Sequence, residues 1–316
     1  MVQMAKQRIA AITRRGMATV GKPTSGLRIG YVPEHFSTPL HFAQKHFRLN
    51  ANLIPFPAGT GHMAQALKAS ELDVGIGLTE GWVAALGKQR NEAGFKLVGT
   101  YVESPLCWAL STGSTRHIES VEELKGKKAG VSRIGSGSYV MAYVLAEKHG
   151  WLGQTGESPF EFVPLENFKN LREGVNSKKA DFFMWEHFTS KRYFDNGEIK
   201  RIGEIYTPWS SWKIVAKDPK DERLETMAQR INEGIVYFND NHDEAIEYIS
   251  SELDYSADDA RAWIKTVEFP KDVRGVDPGV IDETVGLLSK AGVLDKGSWG
   301  SNNMVGIKKA SRAHPH

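Results

Sequence analysis

The sequence predicts an α/β protein of two lobes, each a mostly parallel sheet flanked by helices, joined by two crossover strands. Apolar, strand-like runs alternate with helical patterns from residue 27 onwards, which is typical of sheets covered on both faces. The alternation restarts after ESPLCW (103–108), and prolines mark both this junction and a second one, TPWSSW (207–212). Because proline restricts the residue before it to extended conformations, each junction indicates a defined crossover.

The first series of elements contains four strands separated by three helices. Ser37 is a candidate N-cap for the first helix, and Pro39 lies near its start. The strands are LRIGYV, ANLIPF, DVGIGL and FKLVGTYV, and the helices are STPLHFAQKHF, HMAQALKASE and WVAALGK.

The second series repeats the pattern after the first proline junction. A short helix and a strand occur in SVEELKGKKAGVS, and a long helix follows in SGSYVMAYVLAEKHG, ended by Gly150. The remaining elements are the strand FEFVPL, the helix FKNLREGVN, the strand DFFMW, the helix TSKRYF and the strand IKRIGEIY.

After Pro208 the sequence becomes strongly helical. Leu224, Met227, Ile231 and Ile235 recur at steps of three and four residues, as on the buried face of a helix. Ser256 and Asp259 form a capping-box pattern, and Asp277 followed by Pro278 begins a last helix that Gly292 ends.

One lobe interrupting the other is the economical domain arrangement. Residues 27–104 and 209–295 form lobe 1, and residues 105–208 form the inserted lobe 2. Residues 1–26 form a targeting or disordered arm, and residues 296–316 form a tail. Two strands that run between two lobes make a natural hinge.

Composition excludes several classes of protein. The 316 residues are 41 % hydrophobic and carry a net charge of +2, so they can bury real cores and do not favour nucleic acid as a partner. A single cysteine, Cys107, excludes an intrachain disulfide framework and a multi-cysteine metal site. No apolar run approaches the ~18 residues needed to span a membrane. The histidines are scattered, so we expect neither a metal nor a cofactor.

The first 26 residues differ from the rest. They contain five basic residues and no acidic residue, because Glu34 is the first acidic position. This composition, without a continuous apolar core, predicts a mitochondrial targeting segment rather than a secretory signal. A disordered basic arm or a start codon placed too far upstream would give the same pattern, and the alternative location is cytoplasmic.

A serine- and glycine-rich turn, SRIGSGSYV, joins a strand to a helix in lobe 2. A helix start offers free backbone N–H groups and the positive end of a dipole, which suits an anionic or carbonyl group of a ligand. The alternative is that a serine only caps the helix while the glycines make a tight turn. The candidate ligand-binding residues here are Ser132, Arg133, Ser136, Gly137 and Ser138.

Further candidates follow the carboxyl ends of strands, where ligands bind in open α/β sheets. Aromatic rings with carboxylates and histidines suit a flat or partly cationic molecule with one anionic end. Alternatively, the tryptophans pack a crossover, His35 lies at the rim, and the glutamates cap helices or face solvent. In lobe 1 the candidates are His35, Thr60, His62, Thr79, Glu80 and Trp82, in lobe 2 Trp185 and Glu186, and on the crossovers Glu103, Ser104, Trp209 and Trp212.

Three segments resemble type II periplasmic solute-binding proteins: ALKASELDVGIGLTEGW, SVEELKGKKAGVSRIGSGSYV and KKADFFMWEHFTSKRYFDNG. The pattern is similar to the branch that holds nitrate, taurine and alkanesulfonate binders and the fungal thiamine-pyrimidine synthases, and to uncharacterised fungal proteins of this fold. The resemblance covers roughly residues 27–250. It implies a type II periplasmic-binding-protein-like fold whose two lobes close over a small ligand.

The resemblance also raises the question of catalysis. The thiamine-pyrimidine synthases bind pyridoxal phosphate through a lysine and have a cysteine cluster associated with iron. This chain has only Cys107, and its loop PAGTGHM contains no lysine. We therefore predict a non-catalytic protein, monomeric or weakly dimeric, that binds an anionic or heteroaromatic metabolite. The alternatives are an enzyme of thiamine-pyrimidine or related cofactor metabolism, and the solute-binding component of an ABC importer, which the missing signal pattern disfavours.

Overall fold

The computed structural model describes residues 26–153, 157–295, 297 and 299–309. Residues 1–25, which carry the predicted targeting segment, lie outside the described residues. The strands are β1 (Leu27–Tyr31), β2 (Ala51–Pro55), β3 (Val74–Leu78), β4 (Lys96–Val102), β5 (Cys107–Gly113), β6 (Lys128–Val131), β7 (Glu161–Pro164), β8 (Phe182–Glu186), β9 (Ile199–Tyr206) and β10 (Trp212–Ala216).

The helices alternate with the strands and then dominate the C-terminal part. They are α1 (Thr38–Phe47), α2 (Thr60–Lys68), α3 (Thr79–Gln89), α4 (Gly137–Lys148), α5 (Phe168–Asn176), α6 (His187–Asp195), α7 (Arg223–Asp240), α8 (His242–Glu252), α9 (Ala257–Ile264), α10 (Pro278–Lys290) and α11 (Ser301–Met304). Among the described residues, no helix is both long and apolar enough to cross a membrane.

Two five-stranded sheets confirm the predicted α/β fold class. Lobe 1 has the strand order β2-β1-β3-β10-β4, and lobe 2 has the order β7-β6-β8-β5-β9. In each sheet one strand is antiparallel to both of its neighbours: β10 in lobe 1 and β5 in lobe 2. Each of these is the strand that follows a crossover. Four strands of each sheet therefore run in one direction, and the antiparallel strand starts at the edge where its parallel neighbours end.

The two crossovers are hydrogen-bonded to each other. The backbone N–H of Ser211 and its hydroxyl both donate to the carbonyl of Ser104, at 3.3 and 2.7 Å. Further along, Thr207 donates its N–H to Leu106 O at 3.0 Å and accepts the Leu106 N–H on its hydroxyl at 2.9 Å. The lobes are thus connected by a hinge of two crossover segments that are hydrogen-bonded to each other.

Several local signals from the sequence have the expected structure. The buried face of α7 includes Leu224, Met227, Ile231 and Ile235. Ser256 accepts the N–H of Asp259, as a capping residue does. Ser37 occupies the N-cap position of α1, but the prediction that its side chain caps the helix is wrong, because its hydroxyl donates to the carbonyl of Glu34 and accepts no N–H from the helix.

The C-terminal helices pack mainly on lobe 1, with α7 against α1 and α10 against α3. They also reach lobe 2, since Tyr139 Oη of α4 donates to the carbonyl of Ala291 at 3.2 Å. The described residues 299–309, predicted as part of a tail, instead join lobe 1: Gly306 N–H donates to Leu97 O at 2.8 Å, and Val276 pairs with Lys308. This segment is short and its apolar residues follow no helical or strand period that predicts such docking.

The contact between α1 and α7 depends on Gly234. A Cβ at this position would lie 2.3 Å from Pro39 O and 2.8 Å from Ala43 N, both backbone atoms of α1. By contrast, a Cβ at Gly286 of α10 would have nothing within 4 Å.

We therefore expect Gly234→Ala to destabilise the protein by about 1 to 3 kcal/mol, because the added methyl group forces α1 and α7 apart. Gly286→Ala, the matched control, should stabilise it by up to about 1 kcal/mol through helix propensity. Denaturant unfolding of both variants measures the difference. Equal effects of the two substitutions would contradict the close packing of α1 on α7.

Candidate functional site

A cavity of about 310 Å³ lies between the lobes. Its walls come from the carboxyl ends of β1, β3, β6 and β8 and from the starts of the antiparallel strands β5 and β10. Helix α2 with its preceding loop, and helix α3, complete the lobe 1 side. The rule that ligands bind beyond the carboxyl ends of strands, here called the strand-end rule, therefore locates the cavity, because all of these ends meet at one edge of each sheet.

The serine turn of lobe 2 lines this cavity and is held by its own hydroxyls. Ser136 is the N-cap of α4 and accepts the N–H of Tyr139 at 3.4 Å. Its hydroxyl also lies 3.0 Å from the Ser138 hydroxyl, which accepts the N–H of Ser132 at 3.1 Å. The capping alternative thus applies to Ser136. Contact of the turn with a ligand stays a prediction.

Gly137 brings lobe 1 into contact with the start of α4. A Cβ at this position would lie 3.0 Å from the Trp108 ring and 3.1 Å from Glu80 Oε1. Because Glu80 belongs to lobe 1 and Gly137 to lobe 2, this close approach crosses the cleft. A side chain here would push against both neighbours.

Glu80 is the innermost carboxyl of lobe 1. It follows β3, lies in the first turn of α3, and is 2 % exposed. One oxygen, Oε2, accepts the indole N–H of Trp209 at 3.2 Å, whereas Oε1 is buried without a hydrogen-bond partner among the described residues. Burial raises the pKa of Glu80 to about 7, since the charged form loses its solvation.

Glu186 faces the same cavity from lobe 2. It ends β8 and caps α6, with Oε2 accepting the N–H of Thr189 at 2.6 Å. The other oxygen lies 3.8 Å from Nε2 of the buried His35. Burial raises the pKa of Glu186 to about 7.

Glu34 is a third carboxyl at the cavity and was not among the predicted residues. It lies after β1, next to the predicted His35. Desolvation is the main cause that raises its pKa, to about 8, and the charge of Glu186 adds to it. The strand-end rule that selected His35 applies equally to this neighbour.

Three tryptophans border the cavity. Trp185 was predicted, and its ring stacks on Phe168 with 5.1 Å between centroids. Trp212 was a candidate on the crossover, whereas Trp108 was not predicted, and each has a buried indole N–H without a partner among the described residues. Trp108 lies at the start of an antiparallel strand, so a search restricted to strand carboxyl ends and crossovers passes over it.

The rim of the cavity carries its basic side chains. Arg133, a predicted residue, is exposed. Its Nη2 atom lies 3.0 Å from the point that a Cβ would occupy if Gly61 of lobe 1 had one. Lys88 is also exposed, with Nζ 3.2 Å from the position of a Cβ on Gly135 of lobe 2. Thr60 lines the cavity as predicted, and its hydroxyl accepts the N–H of Leu78 at 2.9 Å.

Some predicted residues do not reach the cavity. Trp82 is fully buried in lobe 1, where it packs against Gly75 and Phe95 and donates its indole N–H to Lys213 O. The expectation that its ring faces the ligand is wrong, because helix α3 turns this position toward the sheet. Thr79 is buried and donates to Ser210 O, and His62 points to solvent from α2.

The remaining predicted residues either pack against the residues that line the cavity or lie away from the cavity. His35 is 1 % exposed and is enclosed by Phe36, Tyr255 and Trp263; burial lowers its pKa well below the usual value. Trp209 holds Glu80 but does not line the cavity. Glu103 pairs with Lys309, and Ser104 accepts the N–H of Glu268 on the outer side of the hinge.

The described residues show little that is suited to metal or thiol chemistry. No group of three or more histidine, cysteine or acidic side chains is arranged to hold a metal ion in this part of the chain. The thiol of Cys107 is half-buried, and burial is the main cause that raises its pKa to about 12. It therefore stays protonated at neutral pH and is a poor nucleophile.

Comparisons with known proteins agree with this architecture. A family model described as Ca3427-like PBP matches residues 108–205. The solved CA3427 gene product of Candida albicans, described as defining a new family with the generic periplasmic binding protein fold, is 44 % identical. That match has a TM-score of 0.78 and covers 89 % of this chain and 95 % of the other.

More distant structures share the fold. The alkanesulfonate-binding protein SsuA of Xanthomonas axonopodis pv. citri, solved with MOPS, is 16 % identical at a TM-score of 0.72, covering 90 % of this chain and 99 % of that one. The aliphatic sulphonate-binding SsuA of Escherichia coli is also 16 % identical, at a TM-score of 0.71, covering 92 % and 94 %. A search of the curated proteins found no match.

The raised pKa of Glu80 predicts a pH-dependent stability. Between pH 6.5 and 8.5 the folded state binds more protons than the unfolded state, whose glutamate has its usual pKa. The stability contributed by protonated Glu80 is therefore lost as the pH rises through about 7. His35, whose pKa burial lowers well below its usual value, affects wild type and a Glu80 variant alike.

We expect the free energy of unfolding of wild type to fall by about 1 kcal/mol more than that of Glu80→Gln over this window. Lys213, whose pKa burial lowers to about 8, affects both proteins alike. Denaturant unfolding at several pH values measures the difference, and Glu247→Gln on the exposed face of α8 serves as the control. Parallel stability curves for wild type and Glu80→Gln would contradict the burial of this carboxyl.

Proposed function

We propose that this chain, which belongs to the Ca3427-like PBP family, binds a small molecule between its two lobes and closes them over it. The observation that carries the proposal is the interlobe cavity of about 310 Å³, with walls from both lobes. This volume lies at the lower end of the usual range for small-molecule sites. The ligand is therefore a metabolite of modest size.

Contacts between the lobes support a closing motion. Gly137 of lobe 2 lies against Glu80 of lobe 1, and Arg133 reaches across to Gly61. On the flanks, α4 and α10 are joined by the ion pair between Glu147 and Lys290, while the hydroxyls of Thr189 and Tyr255 lie 3.2 Å apart. Because few residues connect the lobes at the hinge, breaking these contacts opens the cleft without unfolding either lobe.

The lining supports a flat heteroaromatic ligand over a simple anion, the two types that the sequence predicted. Three tryptophans line the cavity, as suits a flat ring, and two of them have a buried indole N–H without an acceptor among the described residues. At the start of α4, where an anion would be favoured, the carboxyl of Glu80 already lies against Gly137. A simple anion would therefore have to share this place with an acidic side chain.

The proposal is one of binding without catalysis. Cys107, with its raised pKa, lies at the hinge and does not line the interlobe cavity. The buried aromatic rings are held in place by packing and the carboxyls by hydrogen bonds, which is typical of a binding pocket. The neighbours compared above are described by their names as binding proteins.

A metabolite-capture experiment tests the binding proposal. The full-length protein is incubated with a metabolite extract of its host, desalted, and examined by native mass spectrometry for a retained mass increment. Trp185→Ala should lower the affinity about fivefold, since it removes a stacking surface worth about 1 kcal/mol. Trp151→Ala, a half-buried tryptophan outside the cavity, is the control and should retain the ligand.

Gly137→Val provides a second variant for the same measurement. Its side chain would meet Trp108 and Glu80, so the lobes should no longer close and the increment should disappear while the thermal melt still reports a folded protein. If no metabolite is retained by wild type, or if Trp185→Ala and Gly137→Val both bind as wild type does, this cleft is not a binding site.

The mitochondrial location stays a prediction made from residues 1–26. Fluorescent fusions of the full chain and of residues 27–316 test it, because only the full chain carries the basic, acid-free segment. We expect mitochondrial signal from the first and diffuse signal from the second. The same cytosolic distribution for both would overturn the targeting role.

A further inference from the structure

Carboxyl groups from both lobes converge on one cavity. Glu34 and Glu80 enter from lobe 1 and Glu186 enters from lobe 2. The basic residues of the lining are Lys88 and Arg133, and both are exposed at the rim. The inner wall is therefore acidic, and no basic side chain of the lining is buried with the carboxyls to neutralise them.

The two innermost carboxyls each use one oxygen within the protein. Glu80 Oε2 is held by Trp209 and Glu186 Oε2 by the Thr189 N–H. Glu80 Oε1 is buried without a donor among the described residues, and Glu186 Oε1 is 3.8 Å from His35 Nε2, too far for a hydrogen bond. Because a buried acceptor is costly when it has no donor, Glu80 Oε1 is suited to a donor supplied by a ligand, and Glu186 lines the same cavity.

We propose that the ligand of this cleft carries a planar N–H-bearing cation, such as an amidinium, a guanidinium or a protonated ring nitrogen, that is held by Glu80 and Glu186. This inference rests on the proposed function, because it names the ligand chemistry of that same site. Planar N–H donors match carboxylate oxygens in charge and geometry. Trp108, Trp185 and Trp212 add ring faces that attract a desolvated cation.

Binding of such a cation is coupled to proton release. Without a cation, the carboxyls of Glu80 and Glu186 are about half protonated at neutral pH, because burial raises their pKa to about 7. The cation replaces these protons, so the affinity of a cation that stays charged, such as an amidinium or a guanidinium, rises as the pH increases from 6 to 8.5. Among the described residues, the titratable and charged groups beside the carboxyls are Glu34, the neutral His35, Cys107 and Tyr255, with Lys88 and Arg133 at the rim of the cavity.

A matched set of probes tests the charge of the ligand group. Benzamidine, benzamide and benzoate share one ring and differ in the charge of its substituent, and benzamidine stays protonated over the whole pH range used. Calorimetry with the full chain at pH 8.5 should give benzamidine an affinity at least about tenfold higher than that of benzamide, with benzoate weakest. The benzamidine affinity should fall by about tenfold at pH 6.

Glutamine substitutions identify the groups that hold the cation. Glu80→Gln and Glu186→Gln imitate the protonated carboxyls, so they should preserve the fold, weaken benzamidine binding by about tenfold each at pH 8.5, and leave benzamide binding unchanged. Glu247→Gln, on the exposed face of α8, should bind benzamidine as wild type does. Folding of the variants is verified by melting temperatures at pH 6. At this pH Glu80 and Glu186 of wild type are largely protonated and therefore resemble the glutamines of the variants.

The outcomes separate this inference from the proposed function. If metabolite capture succeeds but benzoate or benzamide binds as well as benzamidine, the cleft binds ligands and the cation site is wrong. Benzamidine binding that the two glutamine substitutions leave unchanged overturns the inference equally. If no metabolite is captured and no probe binds, the proposed function fails together with the inference.

Discussion

The pairing of the two crossovers is the constraint on which the rest of the structure depends. The chain leaves lobe 1 after β4 and returns at β10, and these segments are hydrogen-bonded to each other between Ser104 and Ser211 and between Leu106 and Thr207. Each crossover delivers an antiparallel strand into the other lobe's sheet. The register of these strands then brings cavity-lining side chains together within each sheet, because Trp108 pairs with Glu186 in lobe 2 and Trp212 with Leu78 in lobe 1.

The site combines a rigid support with groups that are costly to bury. Trp209 on the return crossover holds Glu80, and the start of α6 holds Glu186. These donors offset part of the desolvation of the carboxyls, but burial remains the largest influence on the pKa of both residues. Raised pKa values at a cleft are typical of functional sites, because a fold optimised only for stability would place apolar side chains there. Stability and ligand recognition therefore oppose each other at these two positions.

Shared fold and shared ligand are separate questions for this chain. The sulfonate-binding structures superpose over nine-tenths of the chain at 16 % identity, which establishes the common two-lobed architecture. Ligand choice depends instead on the side chains at the strand ends, where this protein has Glu34, Glu80 and Glu186 around an aromatic cavity. A cavity wall with three carboxyls and basic groups only at its rim favours donors and cations over simple anions.

The sequence alone determined the α/β class, the two sheets and the edge at which the cavity lies. These follow from local signals: the alternation of strand and helix patterns, the prolines at the junctions and the strand-end rule that selected Glu80, Glu186 and the serine turn. Only the tertiary structure decided which neighbours face the cavity. Helix α3 turns Trp82 into the core, and the antiparallel strands bring Trp108 and Trp212 to the edge where parallel strands end. Strand direction depends on pairing between residues distant in the chain, so no local pattern encodes it.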